Sequence, residues 1–187
     1  MSRDILKPHA SAGANLIRGA SLGDDLGVEG RYTVVCYGAD GVEKWRDTIE
    51  NLVTTVGKND LLDKYLLGSG YTQTIRMGLK GTGAANAADT QASHAGWLEV
   101  GLANAPTYTG NRKDVTMGAA AAGSSVSPTQ TFAITSSGTV SGCFINNGGS
   151  ATKDNTTGVL FSAGDFSGGD RAVINGDSIV VTYTLSV

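Results

Sequence analysis

The sequence is poor in charge. Asp, Glu, Lys and Arg make up 17% of the 187 residues, compared with roughly 25% in an average soluble protein. The net charge is −3, and the Lys and Arg residues are scattered singly, with no basic run between aromatic residues. A nucleic-acid-binding surface needs clustered positive charge to neutralise phosphates. We therefore predict no nucleic-acid partner.

Long apolar runs and cysteines are also scarce. No run approaches the roughly 20 apolar residues that a membrane-spanning helix needs, and the first ten residues, MSRDILKPHA, lack the apolar region of a signal peptide. We therefore expect no membrane partner, and a protein that is made and kept in a cytoplasm. The two cysteines, Cys36 and Cys143, each lie in an apolar stretch and are interpreted as buried, reduced thiols.

The residues that usually carry catalysis or bind metals are few. Neither of the two histidines, His9 and His94, has a His, Cys or carboxylate at ligand spacing, so we predict no metal site. Gly81-Thr82-Gly83 lacks the third glycine and the helix of a dinucleotide fingerprint. The acidic turn at residues 165–170 lacks the carboxylate spacing of a calcium loop. We predict no catalytic residues, no cofactor and no enzymatic activity, and we interpret His94 as a packed or turn histidine.

Glycine, in contrast, is abundant, with 27 residues. Turn signals such as Asp40-Gly41 and Asn175-Gly176 separate short apolar segments at spacings near ten residues. This pattern predicts a mainly β fold, an antiparallel β-sandwich of jelly-roll or Ig-like type. The predicted strands are 31–38, 42–45, 71–79, 96–102, 115–117, 131–135, 140–145, 158–164, 171–175 and 178–187.

Two features of the strand predictions concern burial. Residues 31–38 are apolar on both faces, which predicts a strand covered on both sides. The last strand, 178–187, is expected inside a sheet. Six aromatic residues at strand positions are expected in the core: Tyr32, Phe132, Phe144, Phe161, Phe166 and Tyr183. For Trp45 and Trp97 we leave open that one of them faces a partner.

One helical segment is predicted, near residues 47–66. Asp47 followed by Glu50 matches a capping box, and Ile49, Val53 and Val56 recur at helical spacing. Gly57 is expected to interrupt the segment before a second short turn. We expect the helix to pack over the sheet, because its apolar face must be buried.

Residues 1–30 differ in composition from residues 31–187, which we interpret as a β-rich domain with a helical insertion. Frequent glycines oppose regular structure, yet apolar residues recur between them. The segment is interpreted either as an extended arm that orders against a neighbour or as a disordered terminus. The arm residues expected to contact such a neighbour are Ile5, Leu6, Leu16, Ile17, Leu22 and Leu26.

Three stretches resemble a family of small structural proteins of tailed bacteriophages. They are NLVTTVGKNDLLD with its flanks (45–81), ADTQASHAGWLE with the residues that follow it (88–108), and the closing block TGVLFSAGDFSGGDRAVINGDSIVVTYTLSV (157–187). The resemblance covers residues 31–187 and implies a virion protein without enzymatic activity. It carries no functional residues over to this chain.

Two functions follow as hypotheses. The first is a capsid decoration or cement protein on the phage head, assembled in the host cytoplasm. Its partners would be the major capsid protein and further copies of itself, as a trimer. The second is a receptor- or glycan-binding module of a tail or head fibre that uses the polar loops 81–95, 103–112 and 146–157.

Overall fold

The computed structural model describes residues 27–70 and 74–187. This part of the chain is mainly β, as predicted, with one α-helix among the described residues. The helix, α1, spans Thr55–Leu66. The strands are β1 Glu29–Tyr37, β2 Glu43–Val53, β3 Ile75–Lys80, β4 Glu99–Val100, β5 Lys113–Val115, β6 Ser124–Val126, β7 Gln130–Ala133, β8 Gly138–Val140, β9 Gly142–Asn147, β10 Val159–Asp165, β11 Arg171–Val173 and β12 Ser178–Ser186.

Ten of the strands form one antiparallel sheet that folds into two half-sheets. The first half-sheet contains β1, β6, β7, β12 and residues 43–51 of β2. The second half-sheet contains β3, β4, β5, β9, β10 and the end of β2. The strand order is β4-β3-β9-β10-β2-β1-β12-β6, with β5 beside β3 and β7 beside β12. Strand β2 belongs to both halves, because its residues 43–51 pair with β1 whereas Leu52 and Val53 pair with β10. β12 lies between β1 and the edge strands β6 and β7, which confirms that the last strand is inside a sheet.

The main core lies between the two half-sheets. Tyr32 of β1 and Ser162 of β10 join them through a hydrogen bond of 2.8 Å between their hydroxyl oxygens. All six aromatic residues predicted for the core are buried. Phe144 belongs to a second, smaller cluster with Trp97 and Leu160 on the outer face of the second half-sheet. Cys36 and Cys143 are free, buried thiols, and burial raises the pKa of Cys36 to about 11.

Strand β1 is fully covered on one face only, and on the other face Val35 and Tyr37 are half-buried, so the prediction of two covered faces holds only in part. Tyr32, Val34 and Cys36 are buried, but Arg31 and Thr33 on the other face are exposed. Strand β9 is covered on both faces, since all six of its residues are buried, and five consecutive residues of β10 are buried as well. The outer face of β9 is covered by the β3–β4 loop, through Trp97.

The predicted start of the helix was also wrong, because residues 47–53 belong to strand β2. The inward positions of β2 include Asp47, Ile49, Asn51 and Val53. Because two of these residues are polar, the sequence does not show the alternation of apolar and polar residues that is typical of a strand. Asp47 does not cap a helix. Its carboxylate accepts hydrogen bonds from the Ser167 hydroxyl and backbone (2.7 and 3.1 Å) and from Arg171 at 3.0 Å.

The helix packs on β10 through a glycine. Thr54 caps α1 by accepting a hydrogen bond from the Gly57 backbone at 3.0 Å. Gly57 is the buried residue of the helix, and a Cβ at this position would overlap with the backbone of Phe161. Gly57 therefore sets the distance between α1 and β10 and does not interrupt the helix.

Only part of the apolar surface of α1 faces the sheet. Leu61 packs against the core. Leu62, Tyr65, Leu66 and the adjacent Leu67 are 53%, 85%, 70% and 75% exposed. We call these four residues the helix patch. The expectation that the helix packs over the sheet is thus confirmed for one face, and an apolar face remains uncovered in the described chain.

No helix of the described residues has both the length and the apolar character needed to cross a membrane.

We predict that Gly57→Ala destabilises the fold. The added methyl group must displace the Phe161 backbone, and overpacking of this kind typically costs about 1–3 kcal/mol. The gain in helix propensity, about 1 kcal/mol or less, offsets only part of this cost. Urea unfolding would measure the difference, with Lys58→Ala on the exposed side of the same turn as the control. Wild-type stability of Gly57→Ala would contradict the proposed close packing.

Candidate functional site

Three polar loops meet on the outer face of the second half-sheet. They connect β3 to β4 (81–98), β4 to β5 (101–112) and β9 to β10 (148–158). Between them lies a groove of about 410 Å³, lined by residues 91–95 and 97–99, by Asn104 and by residues 154–156. All of these lining residues except 97–99 come from the three regions predicted as receptor-contacting loops, and residues 97–99 belong to a segment predicted as a strand. The structure places residues 154–156 beside loops that lie 50 or more residues earlier in the sequence.

A buried ion pair connects the loops beneath the groove. Arg112 donates two hydrogen bonds to Glu99, from Nε to Oε1 at 2.9 Å and from Nη2 to Oε2 at 2.5 Å. Both side chains are almost completely buried. Paired, bidentate geometry of this kind is the strong form of a charge-assisted hydrogen bond.

The same pair holds the β9–β10 loop. Arg112 donates to the backbone carbonyls of Ser150 (3.2 Å) and Asn155 (2.7 Å), and the Asp154 backbone donates to Glu99 at 2.9 Å. One ion pair therefore fixes strand β4, the end of the β4–β5 loop and the loop carrying residues 154–156. The buried ion pair therefore fixes the backbone that surrounds the groove.

His94 and Trp97 form the wall contributed by the β3–β4 loop. Their rings stack with centroids 4.0 Å apart, and the Trp97 indole donates to Asp89 at 2.9 Å. His94 Nδ1 lies 3.0 Å from the Trp97 carbonyl oxygen. A carbonyl only accepts hydrogen bonds, so Nδ1 is the donor there, and neutral His94 carries an acceptor at Nε2. His94 is a packed turn histidine, as predicted.

Lys80 fixes the start of the β3–β4 loop. Its side chain is fully buried, and its ammonium group forms an ion pair with Asp165 and donates to the Gly83 carbonyl. Asp165 also accepts from the Ala85 backbone at 3.2 Å. Asp165, the first carboxylate of the acidic turn 165–170, thus binds a lysine. Within residues 27–70 and 74–187, no group of three or more His, Cys, Asp or Glu could hold a metal ion.

Lys153 supports the third loop from below. Its ammonium group donates to the Tyr108 carbonyl at 2.8 Å and lies 4.2 Å from the centre of the Tyr108 ring. Burial lowers the pKa of Lys153, and the nearby charge of Lys113 lowers it further. Burial also raises the pKa of the Tyr108 hydroxyl.

The groove offers mainly hydrogen-bonding groups. Its lining includes side-chain amides, hydroxyls, the Asp154 carboxylate and the His94 ring, and Leu98 adds an apolar side chain that is more than half exposed. Trp97 is buried and presents no stacking surface to a ligand, and Trp45 is half-buried against Phe166. Such a groove can bind a polar molecule by its hydroxyl or amide groups.

The six arm residues predicted to contact a capsid, Ile5, Leu6, Leu16, Ile17, Leu22 and Leu26, lie outside the described residues. Sequence reasoning missed the buried charges Lys80, Glu99 and Arg112. A signal was present for Glu99, which stands between Leu98 and Val100 in a predicted strand. Its partner, 13 residues away, lies in a loop without any comparable pattern.

Comparison with family models, curated proteins and solved structures found no match to this chain.

We predict that Arg112→Met strongly destabilises the protein. It leaves the Glu99 carboxylate buried without its partner, which typically costs about 3–5 kcal/mol. The double variant Glu99→Leu/Arg112→Met should recover only part of this loss, because it removes both buried charges but leaves the carbonyls of Ser150 and Asn155 and the Asp154 N–H without these partners. Urea unfolding measures each variant.

The matched control is the exposed pair of Arg31 and Glu50, which are 2.8 Å apart and 58% and 65% exposed. Arg31→Met should change the free energy of unfolding by less than about 1 kcal/mol. Equal losses at Arg31 and Arg112 would contradict the role assigned to the buried pair.

Proposed function

We propose that the chain is a non-enzymatic virion protein of a tailed bacteriophage, a decoration protein that binds the major capsid protein and stabilises the head shell. The resemblance of residues 31–187 to small phage structural proteins gives the first support. The structural observation that carries the proposal is the helix patch, since a contiguous exposed apolar surface is typical of protein contact sites.

The position of the patch favours a joint contact with the arm. Leu61 of helix α1 and Leu185 of β12 line the same cleft. Because Leu185 pairs with Gly30, the start of β1 lies close to this cleft. In this proposal the arm and the helix patch bind the same coat-protein surface.

The energetics favour several copies acting together. Ordering an arm costs about 1–2 kcal/mol per residue in backbone entropy, whereas burying an apolar side chain returns roughly 1.5–3 kcal/mol. The arm alone therefore binds weakly. The helix patch lies on a helix that is already formed, so its binding does not cost backbone entropy. A trimer at a threefold position would multiply the contacts of both the arm and the patch.

We predict that Leu62→Asp/Leu66→Asp abolishes capsid binding. Each substitution removes an apolar contact and places a charge in the interface, so we expect the affinity to fall at least about 30-fold, or 2 kcal/mol. Co-sedimentation with heads that lack this protein measures binding. Val42→Asp, at a similarly exposed apolar residue in the β1–β2 turn, is the control and should bind like the wild type.

Cryo-electron microscopy of the virion tests the location. Density for this fold at threefold positions of the outer shell, with residues 1–26 on coat subunits, is the expected result. Density confined to the tail would contradict the decoration model. Full occupancy of the head by a chain without residues 1–26 would contradict the role of the arm.

The groove favours a second candidate, a receptor- or glycan-binding module of a fibre. Its support is the convergence of the three polar loops on one groove that is fixed by buried charge. Vicinal sugar hydroxyls match the amide, carboxylate and imidazole groups that line it.

If the groove binds glycans, the full chain should retain specific glycans on an array, and Thr156→Ala should lose most of that signal. The reason is that Thr156 is exposed and belongs to the lining. Thr33→Ala, on the exposed face of β1, should leave the signal unchanged. An array without specific hits, or equal binding by both variants, would exclude this candidate.

A further inference from the structure

A second depression of about 380 Å³ adjoins the polar groove. Its lining includes the start of the β3–β4 loop, residues 103–105 of the β4–β5 loop and Thr139 of β8. Leu98 and Asn104 line both the groove and the second depression, so the two are neighbours across these residues. Each volume lies in the range of a small-ligand site, about 300–1,000 Å³. We call the groove and the second depression together the extended site.

The boundary between the two parts of the extended site is held in place by hydrogen bonds. The Leu98 carbonyl accepts a hydrogen bond from the Gly81 backbone at 2.8 Å, and the Leu98 side chain is 59% exposed. The Asn104 side-chain amide donates to the Glu99 carbonyl at 2.9 Å, and the Asn104 backbone carbonyl accepts from Gly101 at 3.0 Å. A ligand that crosses this boundary meets an exposed apolar side chain on backbone that is already ordered, which lowers the entropy cost of binding.

The accessible charge of the extended site is negative. Among the described residues that line it, none is Lys or Arg, and the two carboxylates are Glu99 and Asp154. Glu99 is buried and paired with Arg112. Asp154 is exposed and accepts a hydrogen bond from the Ala103 backbone at 3.0 Å. An acidic ligand would therefore meet a carboxylate without an opposing cation, and like charges repel.

Several lining groups are hydrogen-bond acceptors. They are the Asp154 carboxylate, the Nε2 atom of neutral His94, and the amide oxygen of Asn104. Sugar hydroxyls donate to such acceptors. The C–H faces of pyranose rings match the exposed apolar side chain of Leu98, since ligand sites combine apolar contact with a few polar groups.

We propose that the extended site binds one uncharged oligosaccharide chain of several sugar residues. The chain crosses Leu98, its hydroxyl groups bind polar side chains on both sides, and Asp154 repels acidic glycans. The inference rests on the glycan-binding candidate for the groove and adds the length and the charge of the ligand. It does not depend on a contact with a capsid.

The charge and length of the ligand are tested with the full chain on an array of neutral and acidic oligosaccharides of one to six residues. The neutral chains should bind, and acidic chains of the same length should not. Titration calorimetry of the neutral series should give an affinity at least about tenfold higher for four residues than for one, which corresponds to about 1.4 kcal/mol.

Two threonines separate the contributions of the two parts. Thr82 is exposed and lines the second depression, whereas Thr156 is exposed and lines the groove. Thr82→Ala should weaken binding of the four-residue chain about two- to tenfold, the effect of one hydrogen bond, and leave binding of the single sugar unchanged. Thr156→Ala should weaken both. Thr33→Ala, on the exposed face of β1, should weaken neither.

Asp154→Asn tests the exclusion of acidic glycans. Asp154 has a φ of 61°, which Asn tolerates better than most residues. The amide oxygen of Asn can still accept from the Ala103 backbone, so we expect the loop to keep its shape. Loss of the charge should reduce the preference for neutral over acidic chains about two- to fivefold.

The outcomes distinguish this inference from the glycan-binding candidate itself. An array without specific hits would contradict the candidate and the inference together. Three results would contradict the extended, uncharged site alone: specific binding of acidic chains, equal affinity for one and four residues, or wild-type binding of the four-residue chain by Thr82→Ala.

Discussion

The sharing of strand β2 by the two half-sheets is the constraint on which the rest of the structure depends. Residues 43–51 pair with β1, and Leu52 and Val53 pair with β10, so the core between the half-sheets is closed along one continuous strand. The end of β2 also fixes α1, because the Thr54 backbone donates to Phe161 at 3.1 Å and its side chain caps the helix. The positions of the cleft and the helix patch follow from this connection.

The strand-rich fold was predictable because turn residues and alternating apolar positions are local signals. The core aromatic residues and the central position of β12 were predicted on the same basis. Strand β2 was mistaken for the start of a helix because two of its inward positions, Asp47 and Asn51, are polar. Asp47 is tolerated there because Ser167, Gly168 and Arg171 hydrogen-bond its carboxylate, and these partners lie about 120 residues away in the sequence.

The groove was predictable only as separate parts. Each loop is polar and rich in small residues, but their meeting depends on the pair Glu99–Arg112 and on the contacts of Arg112 with Ser150 and Asn155. A buried arginine in a loop belongs to no periodic sequence pattern. The backbone carbonyls that it binds could come from any residue type, so the sequence does not identify them. Sequence patterns report which residues favour a strand or a turn, whereas long-range pairing of buried charge decides where loops converge.

The three surfaces of this protein differ in what binding costs. The groove and the helix patch stand on backbone that is already ordered, the first by buried ion pairs and the second by the close contact of Gly57 with β10. Binding there costs mainly side-chain entropy, whereas each arm residue that becomes ordered also loses backbone entropy. In the proposed capsid contact, the fixed patch would bind first and the arm second, because local attachment raises the effective concentration of the arm at its own site.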